Sequence, residues 1–140
     1  MAVEYASFPF TFEEGTTFSD FRLAYERHGA AAQTDGSNVL LFPTFFSGNV
    51  QSLTAFGLIG SGRLADTDEY HVIALGCIGD GQTTSPDQRQ GSFPDYTVGD
   101  MVRAQHHLIT EVLGFDSVLG ILGFSLGGNQ VFDWAVRYPD

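Results

Sequence analysis

Residues 118–128 run Val-Leu-Gly-Ile-Leu-Gly-Phe-Ser-Leu-Gly-Gly, and this stretch decides the fold. Its apolar first half, Val118–Leu122, predicts a strand that is buried in the core. Behind it, apolar residues recur at Val131, Ala135 and Tyr138, which is the spacing of one helix face. A strand that passes through a glycine-rich turn straight into a helix is the repeating junction of an α/β protein.

The turn carries a serine between two glycines, in the pattern Gly123-x-Ser125-x-Gly127. This is the pattern of a nucleophile elbow, in which the serine takes a strained backbone conformation and projects its hydroxyl above the sheet. Gly123, Gly127 and the next residue, Gly128, leave room for so tight a turn. We expect Ser125 to be a nucleophile, with the N–H of Leu126 donating to an oxyanion at the positive end of the helix. An ordinary serine in a glycine-rich turn is the alternative.

A second oxyanion donor is expected in the loop that follows another apolar run, Val39–Phe42. That loop is Pro43-Thr-Phe-Phe-Ser-Gly48. The N–H of Phe45 is the first candidate and that of Thr44 is the second. The two phenylalanines of the loop either fill the core or line a pocket for an acyl group, and the sequence leaves both interpretations open.

Further elements complete the predicted sheet. The alternating apolar residues of 8–12 and 21–25, with Gly15 between the two runs, predict an antiparallel hairpin. Residues 70–75 form another strand candidate. Strands that alternate with helices predict right-handed βαβ units. We therefore expect one α/β domain over residues 1–140, with a mainly parallel sheet, an antiparallel N-terminal hairpin and flanking helices.

One helix has unusually complete boundary signals. Thr97 and Asp100 form a capping-box pattern at its start, and Gly114 stands where a left-handed residue is expected after its end. His106 and His107 are neighbours on this helix, so they point in different directions and do not form a paired metal site. At least one of them is expected in solvent.

The composition excludes several classes of function. The chain has 17 Asp and Glu residues but only 6 basic residues, all of them arginine, for a formal charge of -11. Nucleic acids and anionic membrane surfaces bind basic proteins, so neither is an expected partner. No stretch approaches the roughly 20 apolar residues of a membrane span. The N-terminus lacks the features of a signal peptide, so a cytoplasmic location is expected.

Cys77 and the glycines around it are interpreted as structural. As the only cysteine, Cys77 forms neither an intramolecular disulfide nor a cysteine-based metal cluster, and it follows a predicted buried strand. The run Gly76-Cys-Ile-Gly-Asp-Gly81 lacks the glycine spacing of a dinucleotide site. His28 and His71 are also interpreted as structural, and no metal or other cofactor is expected.

From about Phe18 to Asp140 the chain resembles the homoserine O-acetyltransferases and their hydrolase-like relatives in the α/β-hydrolase superfamily. The matching segments are Leu23-Ala-Tyr-Glu26, Leu58-Ile-Gly-Ser-Gly62, Asp66-Thr-Asp68, Tyr70-His-Val-Ile73, Phe93-Pro94, Asp100-Met-Val-Arg-Ala-Gln105, Gly127-Gly128 and Trp134-Ala-Val-Arg-Tyr-Pro-Asp140. The resemblance implies an α/β-hydrolase fold in which Ser125 accepts the acyl group. It also implies a small acyl or ester substrate, with acetyl-CoA as donor if the protein is a transferase.

Three departures separate the chain from the acetyltransferases. Its elbow is Gly-Phe-Ser-Leu-Gly-Gly rather than Gly-Gly-Ser-Met-Gly-Gly, its loop after residue 42 differs from the His-Ala-Leu-Thr-Gly form, and Gly99 replaces a common arginine. These features are closer to the hydrolase-like branch, some of whose fungal members belong to secondary metabolism. The resemblance therefore favours an esterase or acyltransferase that acts on a small acyl substrate other than homoserine.

In this superfamily the triad acid and histidine follow the serine. Only Asp133 and Asp140 follow Ser125, neither at the position of the family's acid, and all four histidines precede it. We therefore expect 1–140 to be a partial domain that ends just after the elbow helix and whose activity needs a longer or complementing chain. With its unpaired sheet edge, such a product is expected to be marginally stable, self-associating or the result of a truncated gene model. A catalytically inactive remnant or interaction module is the alternative. A longer form with a C-terminal signal would be peroxisomal.

Overall fold

The computed structural model describes residues 2–140, which form a mixed five-stranded sheet with helices on both faces and a separate two-stranded sheet. The strands are β1 (Glu4–Thr11), β2 (Thr17–Gly29), β3 (Val39–Pro43), β4 (Ile59–Gly60), β5 (Ala65–Asp66), β6 (His71–Leu75) and β7 (Gly120–Ile121). The helices are α1 (Val50–Ala55), α2 (Val98–His107) and α3 (Leu126–Arg137), with a 3-10 turn at Pro86–Gln88 and a π-helical segment at Leu108–Val112. The large sheet has the order β1-β2-β6-β3-β7, and β4 pairs with β5.

The N-terminal hairpin is confirmed. β1 and β2 pair antiparallel, with Phe8 opposite Phe21 and Phe10 opposite Phe18. Because every second residue of a strand points to the same face, the rings gather on one side of the hairpin, where Phe12 joins them. This aromatic layer packs into the same core as α2. β2 then pairs antiparallel with β6 and so attaches the hairpin to the parallel strands.

β3 lies inside the sheet, parallel to β6 on one side and to β7 on the other. All five of its residues are buried. Val39 and Leu41 enter the core beneath α2 and α3, whereas Leu40 and Phe42 enter the core beneath α1. β3 is therefore covered on both faces, which is typical of an uninterrupted apolar run in a parallel sheet.

The capping box of α2 is present as predicted. Thr97 Oγ1 accepts a hydrogen bond from the Asp100 N–H at 3.1 Å, and the Asp100 carboxylate accepts one from the Thr97 N–H at 3.0 Å. The same buried carboxylate accepts from the Glu13 N–H at 2.8 Å and pairs with Arg103, so it also holds the hairpin loop. Gly114 has a φ of 79°, the left-handed conformation expected after the helix.

The predicted burial of Val118–Leu122 is wrong. Only Gly120–Ile121 form a strand, β7, which lies at the edge of the sheet. Leu119 is 53% exposed. Within the described residues no strand pairs with the outer side of β7, so its apolar neighbours stay uncovered. The open edge itself agrees with the expectation of an unpaired strand.

The buried face of α3 also differs from the predicted one. Gly127, Gln130 and Trp134 are buried, whereas Ala135 is exposed and Val131 is only half-buried. Apolar spacing misses this face because a glutamine is normally a surface residue, and it is buried only where its amide finds hydrogen-bond partners.

Neither histidine of α2 lies free in solvent, contrary to the expectation for at least one of them. Both are half-buried. The ring of His106 stacks on Tyr138, with 3.6 Å between the ring centroids, and that of His107 packs on Phe8 at 4.3 Å. Burial lowers the pKa of His106. Both rings therefore serve as packing surfaces.

Within residues 2–140, no three His, Cys, Asp or Glu side chains converge where a metal ion would fit. No helix of this range combines the length and the apolar character needed to cross a membrane.

Candidate active site

Ser125 lies at the junction between β7 and α3, directly before the first helical residue. Its backbone has φ 53° and ψ -129°, a combination that residues other than glycine rarely adopt. Ser47 is the one other non-glycine residue with a positive φ in the described part of the chain. Ser125 is exposed, so a small molecule can reach it. The elbow motif predicts a strained, accessible junction of this kind.

Two glycines of the elbow are required by close approach of the backbone. A Cβ on Gly123 would lie 2.5 Å from the carbonyl oxygen of Gly127, and one on Gly127 would lie 2.8 Å from that of Pro43. Both distances are shorter than van der Waals contact, so either side chain would force backbone segments apart. A Cβ on Gly128 would have its nearest neighbour at 3.8 Å, an ordinary contact. The turn therefore needs two of the three predicted glycines.

The N–H groups near Ser125 decide where an oxyanion can bind. The N–H of Leu126 is the first of α3, so the helix offers it no acceptor, and no other described residue accepts from it. The N–H of Phe45 likewise has no acceptor among the described residues. By contrast, the N–H of Thr44 donates to the Leu75 carbonyl at 2.9 Å, because the pairing of β3 with β6 continues beyond the strand end. The N–H of Thr44 is therefore not available to an oxyanion, and that of Phe45 remains the candidate for the second donor.

A cavity of about 400 Å³ opens beside this junction, and Leu126 forms part of its wall. The other lining residues are Phe45, Phe46, Ser47, Gly48, Cys77, Ile78, Gly79, Asp80, Tyr96 and Met101. The Phe45 ring packs against Phe124 at 4.7 Å and Phe56 at 5.6 Å between centroids, and Phe46 is 76% exposed. Both phenylalanines of the loop therefore line the cavity, and Phe45 also packs against the core beneath α1.

Comparison with known proteins identifies the family. A sequence profile of the alpha/beta hydrolase fold matches residues 39–140. The chain belongs to this family.

Relatives of this α/β hydrolase include esterases and acetyltransferases. The chain is 39% identical to an ethyl acetate hydrolase from Pseudomonas veronii over 137 residues, which is 94% of this chain and 39% of that protein. It is 36% identical to a homoserine O-acetyltransferase from Methanocorpusculum labreanum, covering 95% of this chain and 30% of the relative. The solved structure of the acetyl esterase MekB matches with a TM-score of 0.92 at 37% identity, over 100% of this chain and 42% of its own. The chain thus spans less than half the length of each.

The histidines and downstream carboxylates of this α/β hydrolase have other partners. No histidine lines the cavity beside the elbow. His28 Nε2 is 2.9 Å from Glu26, and His71 Nδ1 is 2.8 Å from a backbone carbonyl, which agrees with their interpretation as structural. Asp133 forms an ion pair with Arg137 on the same helix at 2.6 Å. None of these groups is arranged as the base of Ser125.

Cys77 and Asp80 line the cavity, but neither has the properties of a nucleophile. Burial raises the pKa of the Cys77 thiol from 9.0 to about 12, so it stays protonated and unreactive at neutral pH. Burial also raises the pKa of Asp80, although the N–H groups of Thr83, Gln82 and Cys77 donate to its carboxylate and act in the opposite direction. Both residues hold the turn after β6.

A buried network of side-chain amides lies next to the candidate site, and the sequence did not predict it. Gln105 Nε2 donates to Gln130 Oε1 at 2.7 Å and to the Gly76 carbonyl at 3.0 Å. Trp134 Nε1 donates to Gln105 Oε1, and Gln130 Nε2 donates to the Thr44 carbonyl, each at 3.0 Å. The available signal was the spacing of Gln130 and Trp134, which places them four residues apart on one face of α3.

Proposed function

We propose that this chain provides the nucleophile of a serine-dependent ester hydrolase or acyltransferase, which acts on a small acyl substrate through an acyl-enzyme at Ser125. The observation that carries the proposal is the backbone of Ser125, with φ 53° and ψ -129° at the N-terminus of α3. Such a conformation costs roughly 1–3 kcal/mol and persists where the surrounding structure enforces it, most often at functional sites. The family supports the same chemistry, since its members here include esterases and acetyltransferases.

The proposed reaction begins when Ser125 Oγ attacks the ester carbonyl carbon and its proton passes to a base. The carbonyl oxygen becomes an oxyanion, which accepts hydrogen bonds from the N–H groups of Leu126 and Phe45. The dipole of α3 favours this negative charge. The bond to the alcohol then breaks, the alcohol leaves with a proton, and the acyl group stays on Ser125. Water or an acceptor hydroxyl finally takes the acyl group.

The base and its acid are proposed to come from a longer or complementing chain. No histidine follows Ser125 in this sequence, and a serine without a base is a weak nucleophile at neutral pH. In a complete site that has lost its base, the oxyanion hole and substrate binding still give about 10³–10⁴-fold over water. We therefore expect the 140-residue chain to retain the reactivity of an oriented serine and little turnover.

A small neutral ester is the first candidate substrate. No cationic side chain lines the cavity, whereas homoserine carries a carboxylate whose burial would require a charged or hydrogen-bonding partner. Two of the relatives are named for acetyl esters, an ethyl acetate hydrolase and an acetyl esterase. Acetyl transfer from acetyl-CoA is the second candidate, because a homoserine O-acetyltransferase is 36% identical to the chain.

A fluorophosphonate probe tests the role of Ser125, because its phosphoryl oxygen becomes negatively charged in the attack, as an ester carbonyl does. We expect Ser125 of the native chain to be phosphonylated on the order of 100-fold faster than in the urea-unfolded chain, since only the folded chain orients the two N–H donors. Mass spectrometry of peptides identifies the labelled serine. Ser125→Ala should abolish the fast phase.

Ser47→Ala is the matched control. Ser47 also has a positive φ, 60°, and lines the same cavity, but it lies in the loop between β3 and α1 and does not directly precede the first residue of a helix. We expect its loss to leave the labelling of Ser125 unchanged. Equal reactivity of Ser125 in the native and unfolded chains would contradict the proposal and support a non-catalytic interaction module.

Imidazole, added in solution as an external base, allows ester hydrolysis to be distinguished from acetyl transfer. Under this condition we expect p-nitrophenyl acetate cleavage above the Ser125→Ala background, with little consumption of acetyl-CoA. The reverse result would identify an acyltransferase.

A further inference from the structure

One hydrogen bond fixes the peptide group that joins Thr44 to Phe45. Gln130 Nε2 donates to the Thr44 carbonyl oxygen at 3.0 Å. That oxygen and the N–H of Phe45 belong to the same planar peptide unit and point in opposite directions across it. Whatever holds the carbonyl oxygen therefore also sets the direction of the Phe45 N–H. A hydrogen bond to the oxygen also polarises the N–H and strengthens it as a donor.

The orientation of the Gln130 amide is determined by its partners. An indole N–H can only donate, so the oxygen of Gln105 faces Trp134. The Gln105 amino group then faces Gln130 and donates to its Oε1 at 2.7 Å. The amino group of Gln130 is left to face the Thr44 carbonyl, which can only accept. The hydrogen bonds that link these three side chains therefore all donate in the same direction, from the Trp134 indole towards the loop after β3.

This network is placed where water cannot replace it. Gln105 and Gln130 are completely buried, and Trp134 is 5% exposed. Gln130 Nε2 also lies 3.3 Å from the carbonyl oxygen of Leu126, the residue whose N–H is the other donor candidate. One amide of α3 thus contacts a backbone carbonyl of the loop after β3 and one of the elbow helix.

We propose that Gln130 is a positioning residue for the oxyanion site, which holds the Thr44–Phe45 peptide so that the Phe45 N–H faces the acyl oxygen. Gln105 and Trp134 orient the Gln130 amide. The inference rests on the proposed function for its effect on reactivity, but the hydrogen bond itself is independent of that function. A role in packing alone would need only a side chain of this volume, not a donor at Nε2.

The test compares Gln130→Met, which keeps the length of the side chain and removes its donor, with Asn129→Ala, an exposed neighbour on α3. Well below the unfolding midpoint, we expect Gln130→Met to slow phosphonylation of Ser125 about 10- to 100-fold, because the donor is misplaced. In Asn129→Ala, the rate of Ser125 phosphonylation should stay within about twofold of that in the chain without substitutions, as expected for a surface substitution. In ¹⁵N-labelled protein, the Phe45 amide signal should shift in Gln130→Met and remain in place in Asn129→Ala. An unchanged rate and an unchanged Phe45 signal in folded Gln130→Met would overturn the proposal.

Two measurements keep this test separate from that of the proposed function. If Ser125 proves unreactive in the native chain, the Phe45 signal alone decides whether Gln130 holds the peptide. If Gln130→Met does not fold, the inference is tested on the chain without substitutions. There, the scalar coupling between Gln130 Nε2 and the Thr44 carbonyl carbon is measured across their hydrogen bond. Detection of that coupling supports the inference, and its absence overturns it.

Discussion

Gly127 and Gly128 are neighbours in the first turn of α3, yet a side chain would meet different surroundings at each. The space beside Gly127 is filled by the carbonyl oxygen of Pro43, at 2.8 Å from a Cβ. The space beside Gly128 is open to 3.8 Å. The elbow helix therefore approaches the loop after β3 at Gly127, and Leu126 and Phe45 line the same cavity beside this contact.

We expect Gly127→Ala to lower the free energy of unfolding by about 1–3 kcal/mol, because the added methyl group overpacks a backbone contact. Gly128→Ala makes the same chemical change one residue away, where it should raise the free energy by about 0.5–1 kcal/mol through better helix propensity. Urea titration followed by the fluorescence of Trp134, the single tryptophan, measures both. Similar effects of the two substitutions would contradict the close contact at Gly127.

At the residue scale, the sequence predicted the strained backbone of Ser125 but not the side chains that contact the nearby loop. The backbone strain of Ser125 follows from the glycines beside it, so a local motif is enough. Thr44 was wrong as a donor because its N–H pairs with Leu75, and a local pattern does not contain that register. Gln130 was missed because its partners come from another helix and from a loop far away in the chain.

At the scale of elements, a capping box of Thr97 and Asp100 defines the start of α2. We expect Thr97→Ala to lower the free energy of unfolding by about 1 kcal/mol, since the Asp100 N–H loses its acceptor. Thr110→Ala is the control, because Thr110 Oγ1 only donates back to the His106 carbonyl of the same helical stretch. Its effect should stay within about 0.5 kcal/mol. Thermal unfolding compares the two, and an equal loss would contradict a capping role.

The elements that the sequence predicted are those whose side-chain pattern matches their burial. β3 is buried on both faces and reads as an uninterrupted apolar run, and the hairpin alternates because one face is covered. The six-residue helix α1 was not predicted, although Asn49 and Ser52 form its capping box. β7 was expected to be buried, and no described strand covers it.

At the scale of the whole molecule, a large negative charge coexists with exposed apolar side chains. The formal charge is -11. Leu119 is exposed beside β7 at the uncovered edge of the sheet, and Phe132 and Val136 are exposed on α3. Charge repulsion keeps copies of the chain apart, while an unpaired edge favours contact between them. Their balance should depend on ionic strength, because salt screens the repulsion beyond about 10 Å at 0.1 M.

We therefore expect the mass measured by light scattering to rise when salt is increased to about 0.5 M, where screening is nearly complete. Leu119→Lys should reduce this association, because a charge on an edge strand blocks pairing. Leu64→Lys is the matched control: Leu64 is 65% exposed against 53% for Leu119, but it lies between β4 and β5. A chain that stays monomeric at every salt concentration would contradict the prediction.

The family was identifiable from the sequence because many short matches occur in the same order along the chain. Each match alone, such as Leu23–Glu26, is too short to specify a fold. The sequence profile and the solved structures confirm the resulting α/β-hydrolase fold. The interior position of β3 was not contained in any of these matches, since its neighbours β6 and β7 come from later in the chain.

The order of β3, β6 and β7 along the chain has a consequence for biosynthesis. The strand Val39–Pro43 is synthesised before either of its neighbours, His71–Leu75 and Gly120–Ile121. At about 5–20 residues per second, its apolar run remains without a partner for seconds. A chaperone that binds extended apolar segments would meet the nascent polypeptide at this strand first.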